Sequence, residues 1–188
     1  MRLWLLRHAQ PLIAPGVCYG ATDLPADAQA TQVAAQAFWQ AWDAAGEPAK
    51  PLIACSPLGR CLQLADALQA LRPGVVVQRD ERLREFDFGC WEQVPWADIP
   101  PDALARWTAD FSAHAFGGCE TVGGFIRRVG QAVDAARVGP AQPQVWVSHA
   151  GVARALQWLA QDAGPLVDAA QWPRAAPGFG AYAVLNWA

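Results

Sequence analysis

Lysine is nearly missing from this chain: Lys50 is the single one, and arginine and lysine together number 14 against 17 aspartates and glutamates. With a formal net charge of −3 there is no basic field to hold nucleic acid or an anionic membrane, and neither partner is expected. Charged residues make up only 16% and hydrophobic residues 53%, which excludes a disordered chain. No apolar run reaches the roughly 20 residues that span a bilayer. The opening run Met1–Leu6 is cut by Arg7 and His8, so no secretory core forms there and a cytoplasmic location is expected. The five cysteines (Cys18, Cys55, Cys61, Cys90 and Cys119) are odd in number and contain no Cys-x-x-Cys pair, so they read as reduced structural thiols. An Asp cluster, a Gly-rich loop ending in Lys-Ser/Thr and a His-x-x-x-His pair are all missing, and neither a metal nor another cofactor is expected.

What is present points to one α/β domain over residues 1–188, long enough to bury roughly 70% of its unfolded surface. Leu3–Leu6, Pro51–Cys55, Val75–Gln78 and Val145–Ser148 are short apolar runs suited to strands covered on both faces, with a weaker fifth at Ala181–Trp187. Helical spacing fills the intervals. Gln29–Ala45 carries Val33, Ala37 and Trp42. Pro57–Leu71 sets Leu58, Leu62, Ala65 and Leu68 on one face, and Thr121–Arg137 does so with Val122, Phe125, Val129 and Val133. Gly151–Ala163 follows with Ala155, Leu156 and Leu159. The alternation predicts a three-layer α/β/α sandwich around a mostly parallel sheet. Residues 86–118, rich in Trp, Pro and Asp, predict an insertion of loops and short helices over the active site. Of the ten tryptophans, Trp39, Trp42, Trp107 and Trp158 fit core packing, whereas Trp91 and Trp96 suit a cleft lining as well as packing.

The polar residues converge by position. Arg7 and His8 follow the first strand, Ser56–Arg60 the second, Glu85 the third and His149 the fourth. Parallel strands point their carboxyl ends to one edge, where ligands bind, so these groups should meet in one pocket. Two guanidiniums match the oxygens of a phosphate, and helices opening near Pro57 and Gly151 add their N-terminal dipoles. A neutral imidazole is a competent nucleophile toward phosphorus, and a carboxyl group can protonate a leaving oxygen and then deprotonate water. The expected partner is a small phosphorylated substrate.

Leu6-Arg7-His8-Ala9-Gln10 resembles the Leu-Arg-His-Gly-Glu signature of the histidine phosphatase (phosphoglycerate-mutase-like) superfamily. Ser56-Pro57-Leu58-Gly59-Arg60-Cys61-Leu62-Gln63-Leu64-Ala65 is similar to its Ser-Pro-Leu-x-Arg-x-x-Gln-Thr-Ala segment. Leu83–Glu92 resembles Leu-x-Glu-x-x-x-Gly-x-Trp-Glu, Glu120-Thr121 a Glu-Ser pair, and Val147–Arg154 the second-histidine block. Ala14–Gly20 followed by Thr22-Asp23-Leu24-Pro25 resembles the bacterial α-ribazole phosphatase branch, which acts in cobalamin synthesis. The resemblance implies a phosphoglycerate-mutase-like fold, with His8 the phosphorylated nucleophile, Glu85 the proton donor and acceptor, and Arg7, Arg60 and His149 holding the phosphoryl group. Gln10, Tyr19, Thr22 and Trp91 are the further substrate contacts it suggests. A broad-specificity phosphatase, a phosphoglycerate mutase and a non-catalytic phosphate-binding regulator are the other readings. Ala9, Ala150 and Gln93 stand where the family usually has glycine, Cys119 replaces another glycine, and Gln10 replaces a common glutamate. A Cβ at 9 or 150 narrows the pocket or demands a different backbone angle.

Overall fold

The computed structural model describes residues 1–48, 50–139, 143–161 and 164–187. Five strands form one sheet: β1 (Arg2–Arg7), β2 (Leu52–Cys55), β3 (Val76–Arg79), β4 (Gln144–Ser148) and β5 (Tyr182–Asn186), in the order β3-β2-β4-β1-β5. β1, β2, β3 and β4 are mutually parallel, and β5 closes the far edge antiparallel to β1.

Alternation along the central strands explains the layering. Leu3 and Leu5 of β1 and Trp146 of β4 point into one core, while Trp4, Leu6, Val145 and Val147 point into the other. α1 (Ala28–Ala44) and α2 (Gly59–Leu71) cover the second face, and α4 (Val122–Arg137) and α5 (Ala150–Ala160) the first. α3 (Pro101–Ala109) lies in the insertion. The fold is therefore the α/β sandwich expected. Among the described residues no helix is long and apolar enough to cross a membrane.

Three expectations need correction. In α1 the buried stripe is Thr31, Ala34, Ala35, Phe38, Trp39 and Trp42, a strict helical spacing; Val33 and Ala37 fall between its turns and are exposed. Three large aromatic rings outweigh one valine in choosing the buried face. β3 is not covered on both faces: as an edge strand it leaves Val76 exposed, and the burial falls on Val75 just ahead of it. α5 ends at Ala160, short of the expected Ala163; residues 162 and 163 lie outside the described ones.

The segment 86–118 is irregular, with short 3-10 turns at Gly89–Trp91, Trp96–Asp98 and Phe116–Gly118 around α3. It has its own small core of Cys18, Ile99, Ala103 and Phe116, against which Phe88, Trp91 and Trp107 pack. Two glycines make its close turns possible: a Cβ on Gly117 would meet the Phe88 carbonyl at 1.8 Å, and one on Gly89 the Gly117 carbonyl at 2.1 Å.

Candidate active site

The carboxyl ends of β1, β2 and β4 open on one edge, and His8, Ser56 and His149 are the residues that follow them. Arg60 sits in the first turn of α2, a helix whose Gly59 N–H is capped from a distance by Asp23 Oδ1 at 2.6 Å. A cavity of about 480 Å³ opens here, with Arg7, His8, Tyr19, Glu85 and Gly151 at its polar end.

His8 is 2% exposed, and its Nδ1 lies 2.7 Å from the Ala9 carbonyl oxygen. That oxygen can only accept, so Nδ1 carries the proton and Nε2 keeps a lone pair. Nε2 accepts a long bond, 3.3 Å, from Arg60 Nε–H. Burial, then the charge of Arg60 and that of Arg7, lowers the His8 pKa to about 3, against the opposing Ala9 carbonyl. The ring is neutral at neutral pH.

Arg60 is fully buried, and its terminal nitrogens donate to the Thr22 carbonyl at 2.8 Å and the Gly20 carbonyl at 2.6 Å. His149, also fully buried, faces His8 with ring centroids 5.1 Å apart. Its Nε2 lies 2.8 Å from Ser56 Oγ, which itself accepts from the Leu58 N–H. Burial first, then Arg60, His8, Arg128 and Arg7, holds the His149 pKa well below the usual histidine range. Arg7 donates to the Pro177 carbonyl at 2.9 Å and stacks its guanidinium 3.8 Å over Phe179, while its buried Nε–H has no acceptor among the described residues. Burial lowers the Arg7 pKa, opposed by Tyr19 and Glu85. The orphaned donor fits an anion.

Glu85 Oε2 accepts from the Gly151 N–H at the start of α5, and Oε1 from the Phe86 N–H, both at 3.0 Å. A Cβ on Gly151 would stand 2.1 Å from Oε1, so this approach requires glycine. The loop bearing Glu85 is held by its carbonyls: Ser148 Oγ donates to Leu83, and Arg128 donates to Arg82, Arg84 and Glu85 while pairing with Glu120 at 2.7 Å.

Phe86, Phe88, Trp96, Trp107, Phe111, Phe125 and Trp172 form the apolar wall, and Arg154 of α5 also lines it. Thus Arg7, His8, Tyr19 and Glu85 meet in one cavity, with Arg60 and His149 behind His8. The remaining expected contacts do not reach it. Trp91 is not among the lining residues: it packs against Phe116, and Trp96 lines the cavity instead. Trp107 packs against the core as expected, stacked on Phe116, and its ring also lines the wall. Thr22 gives its hydroxyl to Glu92, and Gln10 is exposed with its carbonyl accepting from Asp27 N–H. The Thr22 hydroxyl is taken up by a carboxylate 70 residues away, a pairing that residue type does not reveal. Ala150 lines the cavity and narrows it, but neither Ala9 nor Ala150 has a positive φ.

Sequence reasoning missed Arg128 and Arg154. Arg128 lies eight residues after Glu120, two helical turns away, and Arg154 five after His149; neither spacing marks a site by itself. Among the described residues no group of three or more His, Cys, Asp or Glu is arranged to hold a metal ion. A neutral imidazole lone pair, a guanidinium with one unpartnered N–H and a carboxyl group around one opening suit transfer of a dianionic group.

Comparison with known proteins agrees with this chemistry. A family model, histidine phosphatase superfamily (branch 1), matches residues 3–174. A bifunctional protein of Mycobacterium tuberculosis and an uncharacterized protein of Mycobacterium bovis are each 35% identical over 173 residues, 87% of this chain and 45% of theirs. The chain thus spans about half the length of the curated relatives it matches. Among solved structures, a mycobacterial glucosyl-3-phosphoglycerate phosphatase is 26% identical with a TM-score of 0.77, covering 97% of this chain and 88% of its own. The Thermus thermophilus protein TTHB049 is 27% identical with a TM-score of 0.69, covering 100% and 94%.

Proposed function

The chain belongs to the histidine phosphatase superfamily, and from that premise we infer that it is a phosphomonoesterase working through a phosphohistidine. His8 Nε2 attacks phosphorus, and the bond to the leaving oxygen breaks as the N–P bond forms. Arg60 Nε–H, released from its long contact with Nε2, turns to a phosphoryl oxygen; the orphaned Arg7 Nε–H meets another. Protonated Glu85 gives its proton to the leaving oxygen. It then takes one from the water that attacks phosphorus, and phosphate and free His8 result. His149, neutral and sealed behind His8, packs against that ring and is itself held at Ser56 Oγ.

The observation that carries this reading is the His8 tautomer: the Ala9 carbonyl fixes the proton on Nδ1, leaving the Nε2 lone pair beside two arginines. Enzyme mixed with labelled substrate and quenched in alkaline denaturant should yield a phosphoprotein labile to acid and stable to base. Label absent, or stable to acid, would end the reading.

The finer substrate we favour is α-ribazole 5′-phosphate. It offers a dianion for the arginines and a flat, apolar ring for the wall formed by Phe88, Trp96 and Trp107. One observation favours a second reading. Arg154 faces the cavity and has no carboxylate partner among the described residues, which suits a leaving group that itself bears a carboxylate. Glucosyl-3-phosphoglycerate, named for the similar mycobacterial enzyme, is such a compound. Side-by-side kcat/KM values for these two esters and 3-phosphoglycerate separate the readings. A flat profile means a general phosphatase. On either reading the supply step is phosphorylation of an alcohol, or cleavage of a larger phosphodiester to the monoester, upstream of this enzyme.

A further inference from the structure

Glu92 lies outside the cavity, yet its carboxylate gathers five donors. It accepts from the N–H groups of Gly20 (2.9 Å), Ala21 (2.9 Å), Thr22 (3.1 Å) and Phe88 (3.0 Å), and from the Thr22 hydroxyl. The same three-residue loop turns its other side to Arg60, through the Gly20 and Thr22 carbonyls. The Gly20–Ala21 peptide group therefore stands directly between a carboxylate and a guanidinium, with its N–H toward the negative group and its C=O toward the positive one. Such a chain polarises along its length, each bond strengthening the next. Gly20 is required within it, because a Cβ there would meet the Phe86 carbonyl at 1.9 Å.

We propose that Glu92 is a positioning residue for His8, acting through the residue 20–22 loop and Arg60. With both terminal nitrogens of Arg60 anchored on carbonyls, Nε is aimed at His8 Nε2 and one N–H on each terminal nitrogen remains for substrate. Without the carboxylate, the loop loses the group that orders its N–H side, and the Arg60 anchors turn away. The proposal rests on His8 being the nucleophile.

The carboxylate behaves as a built anchor. Burial alone would raise the Glu92 pKa, but the bonds from Thr22, Gly20, Phe88 and Ala21 outweigh it and hold it below the usual range. Around His8 stand Arg7 from the end of β1, Arg60 from α2, His149 from the β4–α5 junction, Tyr19 from the loop after β1, Glu85 from the loop after β3 and Arg154 from α5. Of the charged groups Arg60 acts most strongly on His8, so its withdrawal makes the imidazole easier to protonate.

The test is the imidazole titration of the full chain by NMR, tractable with three histidines, read together with the pH profile of kcat/KM. In Glu92→Gln, the His8 midpoint should rise by about one unit or more, and the acid limb of kcat/KM should move up with it. kcat should fall about ten-fold while KM stays within about three-fold. Thr22→Val, which removes one donor and leaves the carboxylate, should shift both readouts less in the same direction. A folded Glu92→Gln with an unmoved His8 midpoint and an unmoved acid limb would overturn the proposal, as would Thr22→Val shifting His8 downward. The titration needs no turnover, so it decides about Glu92 even if His8 proves not to be the nucleophile.

Discussion

The floor of the cavity and its wall are built in opposite ways. On the floor, His8, Arg60, Glu85 and His149 come from distant parts of the chain, and their polar atoms are tied to backbone groups, to one another or, for His149, to the Ser56 hydroxyl. The wall is a run of rings from the irregular 86–118 segment and its neighbours, held by stacking: Trp107 lies 4.4 Å from Phe116 at 12°, and Phe88 meets Trp96 edge-on at 5.4 Å. Directional bonds fix atoms to the tolerance that a reacting centre needs, whereas stacked rings give shape and area with more latitude. On the proposed function, chemistry falls to the floor and substrate choice to the wall. Floor changes should depress every substrate, and wall changes should reorder them.

The largest effect expected is at the nucleophile. His8→Ala should lose at least about 10³-fold in kcat on any phosphomonoester, since the covalent route is gone. Retention of more than about a tenth of the activity would remove His8 from the mechanism. Glu85→Gln keeps shape and one of the two backbone bonds, its amide nitrogen being unable to accept the other N–H, yet cannot give up a proton usefully. Its loss should be about 10²-fold or more on an alkyl phosphate and clearly smaller on p-nitrophenyl phosphate, whose leaving group needs little help. Equal losses on both would assign Glu85 to structure alone.

Next comes acid stability, which the floor controls and the wall does not. His8 is neutral when folded, with a pKa of about 3, and its unfolded value is about 6.5. Below about pH 6.5 the unfolded chain therefore binds a proton that the folded chain refuses, and stability falls progressively toward pH 3. At pH 5 the loss from His8 is about 2 kcal/mol. His149 acts in the same direction. The urea midpoint should be flat from about pH 8 to 7 and drop below 6.5, with a gentler slope in His8→Asn. A midpoint at pH 5 equal to that at pH 8 would contradict the neutral floor.

The wall supplies the smaller kinetic effect. Trp96→Ala should lower kcat/KM on α-ribazole 5′-phosphate about ten-fold while changing a small alkyl phosphate less than about three-fold. Trp91→Ala should leave that ratio alone, because its ring packs on Phe116 away from the cavity. Uniform loss on both substrates in Trp96→Ala would dissolve the division between floor and wall.

The same contrast explains what was legible in the sequence. Short branched runs alternating with helical spacing carry the sheet and its helices, and the rule that ligands meet at the carboxyl edge brings Arg7, His8, Glu85, Arg60 and His149 together without any coordinates. That inference works because topology acts on backbone, and each of these residues follows a strand or opens a helix. Trp91 and Trp96 stand five apart in an aperiodic stretch, and nothing in residue type says which ring turns inward. Their facing is decided by the turn at Gly89 and by Phe116, a long-range contact. Arg128 escaped notice for a related reason: its partners are mainly carbonyls, and carbonyls leave no mark in sequence.

The smallest expected effect lies where wall and floor join. Gln93 follows Glu92 and has φ +66°, making it the one non-glycine residue in the left-handed region among those described. That backbone is required: the Gln93 N–H donates to the Cys18 carbonyl at 2.8 Å, which ties the 86–118 segment to the loop carrying Tyr19. The Cβ of a glutamine in this conformation costs about 1 kcal/mol, and its exposed side chain makes no hydrogen bond to the described residues in return. Gln93→Gly relieves that strain but adds freedom to the unfolded chain, so the net stabilisation should be a few tenths to about 1 kcal/mol. Kinetic constants should stay within about two-fold, because neither the wall rings nor the floor bonds change. Gln93→Val is the counterpart: a β-branched residue tolerates this region worst and should destabilise by about 1 kcal/mol or more. Equal urea midpoints for the wild type and both variants would mean that the turn adjusts freely and that the junction between the two regions is soft.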